Sequence, residues 1–94
     1  MFIVRETFNA RPGMASKLAT MIKQVMSEQR DLRVRILTDF VGPFNTVVME
    51  TEVPDLADFD RRMKEYMERD DIRTRMKGYT DMYQTGGREI YRVV

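Results

Sequence analysis

Ninety-four residues with 16 Lys and Arg against 15 Asp and Glu carry a net charge of +1, too weak a field to gather nucleic acid or an anionic membrane surface. The chain has neither cysteine nor histidine, which excludes a disulfide framework, a thiolate metal site, a cysteine nucleophile, a histidine base and a histidine-ligated haem or zinc. Charged residues at 33% and hydrophobic ones at 43% are the balance of a folded chain, and this length predicts one domain over 1–94.

Met1 to Glu6 lack the basic start and apolar run of a signal peptide, and no stretch nears the ~20 apolar residues of a membrane span, so a cytoplasmic protein without membrane contact is expected. From Met1 to Phe8 the chain alternates Phe2, Val4, Glu6 and Phe8 with Ile3, Arg5 and Thr7, which predicts a strand. Asn9 to Gly13 breaks the pattern, and Pro12 suits a first helical turn, where its missing N–H costs nothing. Met14, Leu18, Met21, Ile22, Val25 and Met26 then recur at helical spacing opposite Lys17, Lys23, Gln24 and Glu28, predicting an amphipathic helix that ends near Arg30.

Period two returns with Leu32, Val34, Ile36, Thr38 and Phe40, and resumes from Phe44 to Val53 after Gly42-Pro43; two strands joined in a hairpin are expected. Asp55 is a good N-cap, with Asp58 in a capping-box position and Pro54 placed to staple onto Phe59. Leu56, Phe59, Met63, Tyr66 and Met67 form the buried stripe of a second helix, and Arg61 with Glu65, Lys64 with Glu68 and Glu65 with Arg69 are spaced for ion pairs on its outer side. Asp70-Asp71 interrupts this helix. Ile72, Met76, Tyr79, Met82 and Tyr83 read as a shorter helical continuation closed by Gly86-Gly87, and Arg88 to Val94 as a fourth strand.

Strand, helix, strand, strand, helix, strand is the split βαβ order of a ferredoxin-like α+β domain, a four-stranded antiparallel sheet with its helices on one face. Apolar side chains project from both sides of the central strands, Ile3 opposite Phe2 and Val4, Val48 opposite Val47 and Met49. A symmetric homodimer through the open sheet face is therefore expected.

The Arg11-Pro12-Gly13 approach to the first helix, the Val53-Pro54-Asp55-Leu56-Ala57-Asp58-Phe59 approach to the second and the closing Gly87-Arg88-Glu89-Ile90-Tyr91-Arg92-Val93 resemble the dimeric α+β barrel proteins, which include antibiotic-biosynthesis monooxygenase-like and NIPSNAP-like domains. The resemblance covers nearly the whole chain and rests on fold boundaries. It implies two sheets packed face to face in a homodimer and leaves activity open. The haem-degrading members use a histidine ligand, which this chain lacks.

Among candidate site residues Glu6 stands out, because a carboxylate interrupts the Phe2, Val4, Phe8 face expected under the helices. Burial there would raise its pKa toward that of a general base at neutral pH, whereas a cross-strand arginine or water at the strand end would leave it an ordinary carboxylate. The resemblance to cofactor-free oxygenases implies a substrate-holding role for a polar residue at about this place on the first strand. Tyr79 and Tyr83 offer phenols beside apolar rings and could line a ligand site, though aromatic residues at this spacing also serve as core. Asn45, after Gly42-Pro43-Phe44, could orient a carbonyl or serve its turn. The methionines follow the helical stripes and read as core filling.

No aromatic, basic third strand of an RNA-recognition domain is present, nor paired cysteines, nor a glycine-rich phosphate loop. These readings predict no cofactor and no metal. The function expected is a homodimeric module, structural or binding a small apolar or aromatic molecule. The alternative is a cofactor-independent monooxygenase or isomerase acting on an aromatic or polyketide-like substrate, with Glu6 as base and Tyr79 or Tyr83 as orienting groups.

Overall fold

The alternating first residues form strand β1, Phe2–Ala10, in a computed structural model that describes residues 1–94. Helix α1, Ala15–Met26, follows a turn at Pro12-Gly13, so it starts after Pro12 and not with it, and it ends at the last residue of its apolar stripe, short of Arg30; Leu18, Ile22, Val25 and Met26 are its buried residues. The hairpin is β2, Arg33–Thr38, and β3, Thr46–Val53. Helix α2, Leu56–Glu68, begins where expected, because the Asp55 carboxylate accepts a hydrogen bond from Ala57 N at 2.8 Å. Such a cap satisfies a backbone donor that the helix leaves free.

Arg69 takes extended backbone angles (φ −78°, ψ 124°), so the helical path breaks before Asp70 and restarts as α3, Asp70–Arg75. Of the three ion pairs expected on α2, Arg61–Glu65 forms at 2.8 Å. Lys64 instead pairs back with Asp60, and Arg69 with Asp71 across the helix break.

The chain after α3 departs from the expected helical continuation. Met76 to Gly78 is a turn, Tyr79–Asp81 is a single turn of 3-10 helix, and strand β4, Tyr83–Arg92, starts at the second tyrosine. Gly86 and Gly87 lie inside β4 and terminate nothing. The physical reason is pairing: β1 offers a full-length partner, and β4 matches it from Tyr83 opposite Ala10 to Arg92 opposite Phe2, with one register shift near Asn9. At Gly86 a Cβ would stand 3.0 Å from the Thr7 carbonyl oxygen, a tight approach that a side chain could take only if the backbone gave by a few tenths of an ångström.

The sheet runs β2-β3-β1-β4, all antiparallel, the order of a ferredoxin-like α+β domain. Its helix-covered face packs Val4, Ala10, Val47, Met49 and Val53 against Leu18, Ile22, Met26 and Phe59. Edge strand β4 is exposed along nearly all its length. No helix is long and apolar enough to cross a membrane.

The open face differs from the apolar surface anticipated. Register places Arg35, Glu50, Arg5 and Glu89 directly opposite one another in one row across all four strands, alternating in sign. Both oxygens of Glu50 are held, one by Arg5 and one by Arg35, each with a contact of 2.6 Å. Burial favours the protonated acid, but the hydrogen bonds and charges of Arg35 and Arg5 outweigh it and hold the Glu50 pKa below the ordinary carboxylate value. Arg5, Glu50 and Arg35 thus find their partners within one sheet. Beside this row Leu37, Val48, Thr7 and Gly87 form a less polar one.

Candidate functional site

The helices do not seal the sheet completely, and a cavity of about 580 Å³ lies between them. Its sheet wall is Glu6 and Phe8 from β1, Met49 from β3, and Tyr83 and Arg88 from β4. Ile22, Val25 and Met26 of α1 and Met63, Tyr66 and Met67 of α2 supply the opposite wall. The segment from Ile72 to Thr80 closes one end. Twelve of the eighteen lining residues are hydrophobic, and five of the chain's nine methionines are among them, Met26, Met49, Met63, Met67 and Met76. Unbranched, polarisable side chains of this kind line a space of adaptable shape, so the methionine stripes read as core filling also form a cavity wall.

Glu6 is on this wall because a strand sends alternate side chains to the same face. It is not an isolated buried acid: β4 places Arg88 directly opposite, and Arg88 Nη2 lies 3.0 Å from Glu6 Oε1. The carboxylate side chain is 16% exposed and the arginine 52%, so the pair stands between the cavity and solvent. Of the alternatives open for Glu6, the cross-strand arginine is the one realised.

Tyr79 and Tyr83 also meet here, though on different elements from those expected. The 3-10 turn carries Tyr79 and the first residue of β4 carries Tyr83, with ring centroids 6.0 Å apart. Tyr83 in turn makes an edge contact with Phe8 at 5.0 Å. Both tyrosines pack against the main core and line the cavity, so the structural and site readings coincide. Burial, with smaller contributions from Tyr83 and Glu6, raises the Tyr79 phenol above its usual pKa; it is a hydrogen-bonding group and not an anion at neutral pH.

Asn45 is elsewhere. It sits in the β2–β3 connection in a left-handed conformation (φ 63°), its carbonyl accepts a hydrogen bond from Ala10 N at 2.7 Å, and it does not line the cavity. Asparagine tolerates these angles better than most residues, so its visible service is to the turn.

Arg73, Lys77 and Arg88 were not singled out from sequence, and only the fold brings them to the cavity lining. Tyr66 was legible as a buried stripe residue, but not that its hydroxyl is buried without a hydrogen-bond partner. No group of three or more Asp or Glu side chains converges in a geometry that could hold a metal ion.

The four-stranded antiparallel sheet in this order, with helices on one face, is a ferredoxin-like architecture shared with solved NIPSNAP-domain and antibiotic biosynthesis monooxygenase structures. An uncharacterised NIPSNAP domain protein from Burkholderia xenovorans superposes with a TM-score of 0.85 at 12% identity, covering 100% of this chain and 95% of the other. A NIPSNAP family protein from Agrobacterium tumefaciens gives 0.83 at 14% identity, covering 100% and 94%. An antibiotic biosynthesis monooxygenase gives 0.73 at 16% identity, covering 100% and 99%. No family model matches the sequence, and no curated protein matches it. The superfamily resemblance seen in the helix approaches is therefore a likeness of fold.

Proposed function

We propose that this protein is a homodimer that binds a small apolar or aromatic molecule in the cavity between sheet and helices. The observation that carries the reading is the cavity itself: about 580 Å³, mostly apolar, with Glu6, Tyr79 and Tyr83 among its lining residues. Pockets of several hundred Å³ with few convergent polar groups are the usual form of small-molecule sites. Two further features support the dimer. Tyr91 and Leu37 are about two-fifths exposed on the open face, and the alternating Arg35-Glu50-Arg5-Glu89 row is a pattern that a two-fold copy of itself can complement.

A second reading, a cofactor-independent monooxygenase or isomerase, has Glu6 in its favour, since this carboxylate faces the cavity beside two phenols. Its carboxylate is already engaged by Arg88, so binding is preferred. The test is the solution mass by light scattering, followed by native mass spectrometry of the purified protein. A dimer carrying a compound of fitting size supports the proposal and supplies a molecule with which to assay turnover by Glu6→Gln; unimpaired turnover by that variant removes Glu6 as base. A monomer that neither carries nor takes up any apolar compound overturns the proposal.

A further inference from the structure

The cations of the helical segment that walls and closes the cavity fall into two sets. Arg61, Arg62, Lys64, Arg69 and Arg75 each have a carboxylate partner: Arg61 has Asp58 and Glu65, Arg62 has Asp31 and Asp58, Lys64 has Asp60, Arg69 has Asp71, and Arg75 has Glu28. Arg73 and Lys77 alone have none, and they alone among these seven line the cavity. They are four residues apart, Arg73 in α3 and Lys77 in the turn that follows it, and both are exposed and line the cavity, so they stand at its opening. Arg73 Nε donates to the Met67 carbonyl at 2.6 Å, which fixes the side chain beside the cavity and leaves its terminal nitrogens free. The one acid on the lining, Glu6, is engaged by Arg88. The opening therefore carries two uncompensated positive charges above an apolar interior.

Resting on the reading of this cavity as a ligand site, we infer that its ligand is an anion with an apolar body, an aryl or alkyl carboxylate or its equivalent, whose rings or chain lie among the methionines while its charged group rests between Arg73 and Lys77. The apolar contacts supply affinity, and the two cations select the anion over a neutral molecule of the same shape. An arginine whose stem is anchored suits a carboxylate, because its planar donors match the two oxygens.

The experiment is a fluorescence titration with two probes of one body: 1-anilinonaphthalene-8-sulfonate, an anion, and N-phenyl-1-naphthylamine, which lacks the sulfonate. The expected result is at least roughly tenfold tighter binding of the anion, the weight of ~1.4 kcal/mol. In the double variant Arg73→Gln, Lys77→Gln that preference disappears with neutral-probe binding unchanged. Arg61→Gln, Arg69→Gln removes the same charge from the paired set and keeps the preference. All replaced side chains are exposed, and matching urea midpoints establish that each variant is folded. If the neutral probe binds as well as the anion, or the double variant keeps the preference, the anion inference is overturned while the cavity reading stands. If neither probe binds, both fall.

Discussion

Glu6 and Arg88 face each other across β1 and β4 with 3.0 Å between Oε1 and Nη2, on the wall of the apolar cavity between sheet and helices. The pair is cross-strand and half open to solvent, so its worth is set by partial screening. Glu6→Gln keeps the shape and removes the charge. It is expected to lower the unfolding free energy by no more than about 1 kcal/mol and to leave binding of a neutral apolar ligand unchanged, as urea denaturation and fluorescence titration will show. A loss of several kcal/mol would mean that the carboxylate organises the sheet.

Glu50 is the most consequential charge of the open face, at 5% exposure with an arginine on either side. Its folded pKa is depressed, so the stability it contributes is fully present above the unfolded value of about 4.5 and is lost as pH falls through the lower folded value. Glu50→Gln leaves Arg5 and Arg35 on either side without their shared anion; because both arginines are substantially exposed, the expected cost at pH 7 is about 1 kcal/mol. Urea midpoints measured between pH 7 and pH 3 should fall less steeply for this variant than for the parent.

Gly78 holds φ at 86°, and nothing stands within 4 Å of where a side chain would be. The strain of Gly78→Ala is therefore purely conformational, about 1 kcal/mol, and it acts on the turn that delivers Tyr79 to the cavity. Gly78→Asn should recover much of the loss, because asparagine tolerates the left-handed region. Thermal denaturation of the two variants makes the comparison; equal losses would place the cause elsewhere.

Tyr66 buries its ring between α1 and α3, beside Val25 and Ile72, while its hydroxyl has no partner. Removing an unpaired buried hydroxyl recovers desolvation, so Tyr66→Phe should be neutral or stabilising by up to about 1 kcal/mol. Burial also raises this phenol's pKa. Its contribution is thus present below pH ~10, the unfolded value, and is lost as pH rises through the higher folded value. The alkaline decline of stability followed by circular dichroism should be shallower in Tyr66→Phe.

The first strand, the two long helices, the hairpin and the break at Asp70-Asp71 were legible in the sequence because each is written locally. Period-two alternation through Val4 and Phe8, the helical stripe through Leu18 and Ile22, the Asp55 cap and the Gly42-Pro43 turn all act within a few residues of themselves. The segment from Met76 to Gly87 misled for the same reason: Ile72, Met76, Tyr79 and Tyr83 have helical spacing, and nothing local announces that β1 will claim Tyr83 to Arg92 as a partner strand. Of the candidate site residues, Glu6, Tyr79 and Tyr83 meet at one cavity, and Asn45 stays with its turn.

The sequence by itself determined the order of elements, the apolar faces and the absence of thiol and imidazole chemistry, since composition and periodicity are properties of the chain alone. Tertiary structure decided the rest. Only sheet register could set Arg88 against Glu6 and seat Glu50 between two arginines, residues 82 and 45 or 15 positions apart in the chain. Only the packing of α3 against α1 and α2 could leave Arg73 and Lys77 unpaired at one opening while every other cation of that helical segment found a carboxylate. Charges are long in reach but blind to sequence distance, so their partners are chosen by the fold.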